Sequence, residues 1–393
     1  MVFFRRDLHA HPELGFKETR TAAKIAERLS ESYGNVRTGI ARTGVSALLE
    51  PPGASGRAIL FRADMDALPV QEESASDYAS RVPGVMHACG HDGHIAILLH
   101  AARLAARSPA SIRGAVRFVF QPAEEGPGGA APMIQEGILK DPPIEAAFGL
   151  HLWSGLPTGR VAVTSGPMMA AADEFDLIVH GRGGHGAYPH EAVDAVVVAS
   201  QIVVALQTVV SRNADPIQTA VLSIGQFNAG QAFNVIAETA HLRGTIRAFR
   251  SDVREKLIRR LREVSEGVAA ALGARCEFVF KEHYPPTVND PRMADFAAAL
   301  AAEVVGPENV VRDLVSMGGE DMSFFLREVP GAYLFLGAGN DAGGTAHPHH
   351  SPRFDFDEEA MPIGVEIFLR IMEGYWTAFP ERPTGAPGAP AAL

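Results

Sequence analysis

Apolar and alanine positions recur every three to four residues over 18–33, which predicts an amphipathic helix stopped by Gly34. Two β-rich runs follow at 44–50 and 57–62, the second running into Asp64-Met65-Asp66. Asp92 is placed to cap a helix carrying Ile95, Leu98, Leu99, Ala102 and Leu104, which must end before Pro109. Strands are predicted at 115–120, leading into Gln121-Pro122-Ala123-Glu124-Glu125-Gly126, and at 146–150, ending at His151. Strands alternating with helices imply an α/β layer with a mostly parallel sheet, whose chemistry collects beyond the carboxyl ends of the strands.

The order changes after about residue 171. A strand at 174–180, a helix at 191–212, strands at 217–224 and 239–249, a helix at 252–272 and a strand at 275–281 give β-α-β-β-α-β, the order of a ferredoxin-like α+β sandwich. The α/β pattern resumes with a helix at 291–305, a strand at 332–336 and a helix at 358–376. The expected layout is therefore a catalytic domain over 1–170 and 284–379, interrupted by a smaller domain at 171–283 and followed by a disordered Pro/Gly/Ala tail at 380–393. The most apolar helical window, 192–210, contains Asp194, Gln201 and Gln207 and reads as a buried helix of a soluble protein rather than a membrane span.

Composition narrows the function classes. Apolar residues at 47% and charged residues at 21% suit a globular chain, and a net charge of −11 with no long basic run argues against nucleic-acid binding. The N-terminus reaches Arg5 before any apolar stretch long enough for a signal peptide. Two cysteines, Cys89 and Cys276, allow at most one disulfide, and no Asn-x-Ser/Thr sequon occurs, so a reducing cytoplasmic setting is expected.

The densest chemistry lies in His87-Ala88-Cys89-Gly90-His91-Asp92-Gly93-His94, a thiol, three imidazoles and a carboxylate in eight residues. A closed zinc site is dominated by cysteine, and the only other cysteine is far away. What remains is a mixed N/O/S site that must recruit ligands from elsewhere, the pattern of a metal with positions open to water and substrate. The available recruits are Glu124, Glu125, His151, His347, His349 and His350. Beside such a cluster, Glu124-Glu125 can divide labour, one carboxylate on metal and the other moving a proton. Asp64 and Asp66 either support a ligand or shape their loop. Gly181-Arg182-Gly183-Gly184-His185-Gly186 matches the dinucleotide fingerprint only formally, because Pro189 interrupts before a helix can begin. A cysteine nucleophile is also disfavoured, since carboxylates and imidazoles around Cys89 suit a cation better than a reactive thiolate.

Six motifs occur in one order: Arg5-Arg6-Asp7-Leu8-His9-Ala10-His11-Pro12-Glu13, Arg62-Ala63-Asp64-Met65-Asp66-Ala67-Leu68-Pro69, the Cys89 cluster, Gln121 through Gly126, Gly183-Gly184-His185-Gly186-Ala187-Tyr188-Pro189-His190 and Gly319-Glu320-Asp321. Together they resemble the metal-dependent aminoacylase/carboxypeptidase family, in the subgroup of hippurate hydrolases, indole-acetyl-amino-acid hydrolases and N-acetyldiaminopimelate deacetylases. The resemblance spans about residues 4–375.

It implies a catalytic domain binding two divalent ions per chain, manganese or zinc first and nickel or cobalt next, with the inserted domain as a lid that usually dimerises. By position in the motifs, Cys89, His91, Glu125, His151 and His350 match the metal ligands, with His349 beside the last. Glu124 matches the general base, and Asp64 an acidic active-site position with Asp66 as competitor. His185 matches a lid histidine that steadies the oxyanion, and Asn234 and Arg247 match lid residues that meet the substrate carboxylate. The implied reaction is hydrolysis of N-acyl amino acids by a homodimer or higher oligomer acting on small molecules, with no nucleic-acid or membrane partner. The alternatives are a dipeptidase or carboxypeptidase with the same site, or a non-catalytic metal-dependent binding protein. Ala237 stands where many relatives carry Pro and Met322 where Phe is common. Neither is a proposed ligand, so these departures bear on substrate preference.

Overall fold

The computed structural model describes residues 1–54 and 56–380. From residue 381 onward the expected tail lies outside the described residues. The chain divides into two compact units, one formed by residues 1–168, 288–315 and 321 onward, the other by 169–287 with the short segment 316–320.

The first unit is built on an eight-stranded sheet in the order Arg37–Ile40, Gly44–Leu49, Ala115–Gln121, Ala58–Asp64, Ile144–Pro157, Gly331–Gly339, Val161–Ala162 and Val310–Val311. Its centre is parallel: Ala58–Asp64 runs parallel to both Ala115–Gln121 and Ile144–Pro157, and the latter pairs in parallel with Gly331–Gly339. Every residue of Ala58–Asp64 and of Ala115–Gln121 is buried, as expected for strands covered on both faces. The mostly parallel α/β sheet read from the sequence is the fold observed.

Strand register brings polar residues into line. Asp64 pairs with Gln121, Arg62 with Gly149, and Phe335 with His151. Asp64, Gln121 and His151 therefore form one rank across three adjacent strands. His151 does not end its strand, as the sequence had suggested, but lies inside the fourteen residues of Ile144–Pro157. The first helix of the predicted set is also shorter, Thr19–Ser30, so Gly34 is not its cap.

The second unit holds a four-stranded antiparallel sheet in the order Ala220–Ala229, Thr239–Ala248, Ala171–His180 and Arg275–Tyr284. With helices Ala195–Asn213 and Ser251–Ala271 this reproduces the predicted β-α-β-β-α-β order. Phe175, Leu177, Val179, Leu242 and Ile246 of the sheet pack with Ile202, Leu206, Leu257 and Leu261 of the helices. Helix Ala195–Asn213 is long and apolar enough to cross a membrane, but Val198, Ala199, Ile202, Leu206 and Val209 are buried in this core. It is not buried all round, because two layers cover only one of its faces: Val196, Val197 and Val204 on the other are 39%, 52% and 67% exposed.

Candidate metal centre

The helix His91–Arg107 begins at Gly90, whose φ of 93° lies in the left-handed region that glycine adopts without penalty. One turn on, a Cβ at Gly93 would stand 2.4 Å from Leu152 Cδ1 and 2.5 Å from Phe356 Cζ, so only glycine lets the helix press against the strand that bears His151. The contact brings the His94 and His151 rings to 4.7 Å and those of His91 and His151 to 6.2 Å. Asp92 does not cap this helix, as the sequence had suggested. Its carboxylate is taken by Arg5 Nε at 2.7 Å and His9 Nδ1 at 2.8 Å, all of them buried.

Cys89 Sγ lies 3.5 Å from His151 Nε2 and 3.8 Å from His349 Nδ1. Donor atoms of Cys89, His151 and His349 fall within 4.8 Å of one another, and so do those of Cys89, His91 and Glu125. Cys89 belongs to both groups. Asp64, His91 and His94 form a third such group, but His94 is already committed. Its Nδ1 donates to Asp64 Oδ1 at 2.6 Å and its Nε2 accepts from the Leu152 amide at 2.8 Å. His94 thus orients Asp64, which also accepts from Arg62 Nη1 at 2.7 Å.

Asp66, the competitor of Asp64, has a different place. Its two oxygens accept the amides of Glu124 and Glu125 at 2.9 and 3.0 Å, and His91 Nδ1 lies 3.3 Å away outside hydrogen-bond geometry. One carboxylate therefore sets the turn carrying both glutamates and faces the first imidazole. His350 reaches Glu125 Oε1 with Nε2 at 3.2 Å from a backbone with φ of 65°, while its amide donates to the Ala88 carbonyl at 2.8 Å. Such a backbone is uncommon outside glycine and costs free energy, so the surrounding structure must hold it. Among the described residues His347, His350 and His87 join none of these groups, and His349 rather than His350 stands with Cys89 and His151; His87 is buried with neither ring nitrogen hydrogen-bonded, and burial holds it down at about 3.

The donor set fits cations. Both ring nitrogens of His91 and Oε1 of Glu125 are buried without a hydrogen bond, and each orphan atom of that kind costs about 1–3 kcal/mol unless something pairs with it. Burial, reinforced by Glu125, Glu124 and Asp64, pushes the Cys89 thiol well above its usual range. Burial opposes a charge on His91, yet Asp64, Asp66 and Glu125 outweigh it and raise the imidazole to about 10. Carboxylates, imidazoles and a thiol gathered this closely, with buried donor atoms left unpaired, suit a bound cation.

In the second unit, Gly184–His185 pairs with Val235–Ile236, with Val235 opposite His185, and one residue along the Gly186 amide donates to the Asn234 carbonyl at 2.8 Å. The Ala187 amide donates to His185 Nδ1 at 3.0 Å, which puts the proton of the neutral ring on Nε2. Arg247 lies on the strand Thr239–Ala248 opposite Ala172. Its guanidinium, lowered by partial burial, makes no hydrogen bond or ion pair among the described residues.

Comparison with known proteins agrees with this geometry. Residues 60–374 match the model of peptidase family M20/M25/M40. The chain is 39% identical over 372 residues to an N-acetylcysteine deacetylase of Bacillus subtilis, covering 94% of this chain and 95% of that protein. It is 38% identical over 368 residues to thermostable carboxypeptidase 1 of Saccharolobus solfataricus, covering 93% and 92%. Among solved structures, the Bacillus subtilis YXEP protein, described as a dinuclear metal binding peptidase of the M20 family, superposes with a TM-score of 0.83 at 35% identity over 96% of this chain and 98% of that one.

Proposed function

The chain belongs to peptidase family M20/M25/M40, and from that premise we propose that it is an amidohydrolase cleaving N-acyl amino acids of the N-acetyl, N-benzoyl or indole-acetyl type into a carboxylic acid and a free amino acid. The observation that carries the reading is the Glu124-Glu125 turn, hung from Asp66 beside Cys89 and His91. A protein that only held metal would have no use for the second glutamate.

Cys89, His91, Glu125, His151 and His350 would hold two divalent ions, manganese or zinc first and nickel or cobalt next. Such ions polarise a scissile carbonyl and acidify a water at neutral pH. Glu124 takes the proton of the attacking water and later delivers it to the leaving nitrogen. His185 donates its Nε2 proton to the developing oxyanion. Arg247 receives the carboxylate of the amino acid in a two-pronged fashion, with Asn234 beside the substrate. Asp64 serves through its buried bonds to Arg62 and His94.

The carboxypeptidase relative favours a second reading, a peptidase using the same centre. The free buried thiols Cys89 and Cys276 support a reducing, cytoplasmic setting. The edge strand Ala220–Ala229 and the exposed valines of helix Ala195–Asn213 support a homodimer or larger assembly. The test is turnover of N-acetyl, N-benzoyl and indole-acetyl amino acids against dipeptides after loading with each metal. Glu124→Gln should keep its metal and lose at least about a hundredfold in turnover, within the range of general-base contributions. Preference for peptides with a free amino terminus would decide for the second reading. Equal metal loss in Glu124→Gln and Glu125→Gln would refute the division of roles.

A further inference from the structure

The motif Gly319-Glu320-Asp321 has no part in the mechanism above, yet Asp321 is completely buried in the first unit. Its Oδ2 accepts the amides of Gly129 and Ala130 at 3.0 and 3.1 Å, and Gln121 Nε2 donates to both its oxygens at 2.9 and 2.8 Å. Arg62 Nη2 reaches Oδ1 at 2.7 Å while Nη1 of the same guanidinium holds Asp64. A carboxylate oxygen of Asp321 also lies within 4.8 Å of one of Glu124.

Within the segment from Gln121 to Ala130 the Gly128 amide closes on the Ala123 carbonyl at 3.0 Å, but Ala123, Gly126 and Gly128 have φ of 55°, 117° and 97° and belong to no helix or strand, so the amides around them turn to side chains. Those amides are shared among three buried carboxylates. Glu18 Oε1 accepts Ala123 at 2.9 Å, Asp66 accepts Glu124 and Glu125, and Asp321 accepts Gly129 and Ala130. Thr43 Oγ1 fixes the other oxygen of Glu18 at 2.6 Å.

We infer that Asp321, with Glu18, is a positioning residue for the Glu124-Glu125 turn: the two carboxylates anchor its far and near ends while Asp66 grips its middle. The inference rests on the proposed roles of Glu124 and Glu125. Hydrogen bonds to an ionised acceptor are about twice as strong as neutral ones, and a displacement of about 1 Å at reacting groups can cost on the order of a hundredfold in rate.

The experiment uses the full-length, metal-loaded protein and its Asp321→Asn and Glu18→Gln variants. Three readouts are taken: kcat and KM per metal-loaded chain, affinity for manganese alone, and amide hydrogen exchange by segment. For Asp321→Asn, kcat should fall at least about tenfold with KM within about threefold, and exchange should quicken in the 122–130 segment while the sheet stays protected. An unchanged kcat per loaded chain, or exchange rising across the whole sheet, overturns the inference. If Asp321→Asn does not fold, Glu18→Gln decides by the same criteria. If the wild-type protein hydrolyses none of the panel, the proposed function fails, and the clamp is then judged on exchange and manganese affinity. Both unchanged in the variant would overturn it on its own terms.

Discussion

Cys89 Sγ lies 3.5 Å from His151 Nε2, although 62 residues separate them in sequence. One residue follows an irregular loop and the other stands within a central strand, and the close packing of Gly93 on Leu152 draws them together. Cys276 packs in the core of the other unit. Cys89→Ala is therefore expected to lose metal together with at least about a hundredfold of turnover, the scale of removing one stabiliser of transition-state charge. Cys276→Ala should leave metal content unchanged. Elemental analysis of both variants after reconstitution checks this, and equal losses would point to a folding defect.

The neighbours His349 and His350 should separate in a metal titration. His349 Nε2 already accepts the Ser154 amide at 3.3 Å, whereas His350 approaches Glu125 from its left-handed backbone. His350→Ala should weaken binding by more than about a hundredfold. His349→Ala should cost about 10–100-fold, as expected for a residue that supports ligands rather than being one. The reverse ranking would make His349 the ligand.

His9 gives a pH signature of stability. Burial disfavours its charged form, but the adjacent Asp92 and Glu72 more than compensate and raise it from 6.5 to about 8. A raised histidine stabilises the fold fully below its unfolded value of about 6.5, and that stabilisation is lost as pH rises through about 8. The shift corresponds to about 2 kcal/mol. Urea unfolding of wild type and His9→Gln should show a gap at pH 6 that shrinks by that amount at pH 9. A gap independent of pH would mean that His9 binds its proton equally well in the folded and unfolded chain.

His185→Ala and Glu124→Gln should each be nearly inactive alone. If the histidine serves the partner subunit, mixing the two variants under conditions of subunit exchange should restore up to about a quarter of wild-type activity, by random pairing in a symmetric dimer. No recovery despite demonstrated exchange would confine His185 to its own chain.

Much of the fold was legible in the sequence because burial leaves a linear trace. Unbroken apolar runs marked the parallel strands, and 3.6-residue spacing marked the helices of both units. Motifs gave the chemical types at the centre. What they did not give was partnership. Asp92 looked like a helix cap because Asp often is one, and only the fold shows Arg5 and His9 competing for its oxygens. Asp64 and Asp66 were indistinguishable on paper, since two carboxylates two residues apart differ only in what the next strand offers them. Glu18 gave no local signal and Asp321 stood in a motif without a role, for the amides they hold are 105 and about 190 residues away.

The pairing of Gly331–Gly339 with Ile144–Pro157 sets a timetable for the newborn chain. During synthesis the thiol of Cys89 and the ring of His91 leave the ribosome long before the segment bearing His349 and His350, with the whole second unit made in between. At roughly 5–20 residues per second the delay is on the order of tens of seconds. Over that interval the early half of the centre exists as an incomplete chelator with an exposed cysteine, open to any soft metal or oxidant nearby. Correct metallation is therefore a property of the finished chain, and supplying the ion after translation should outperform supplying it during translation.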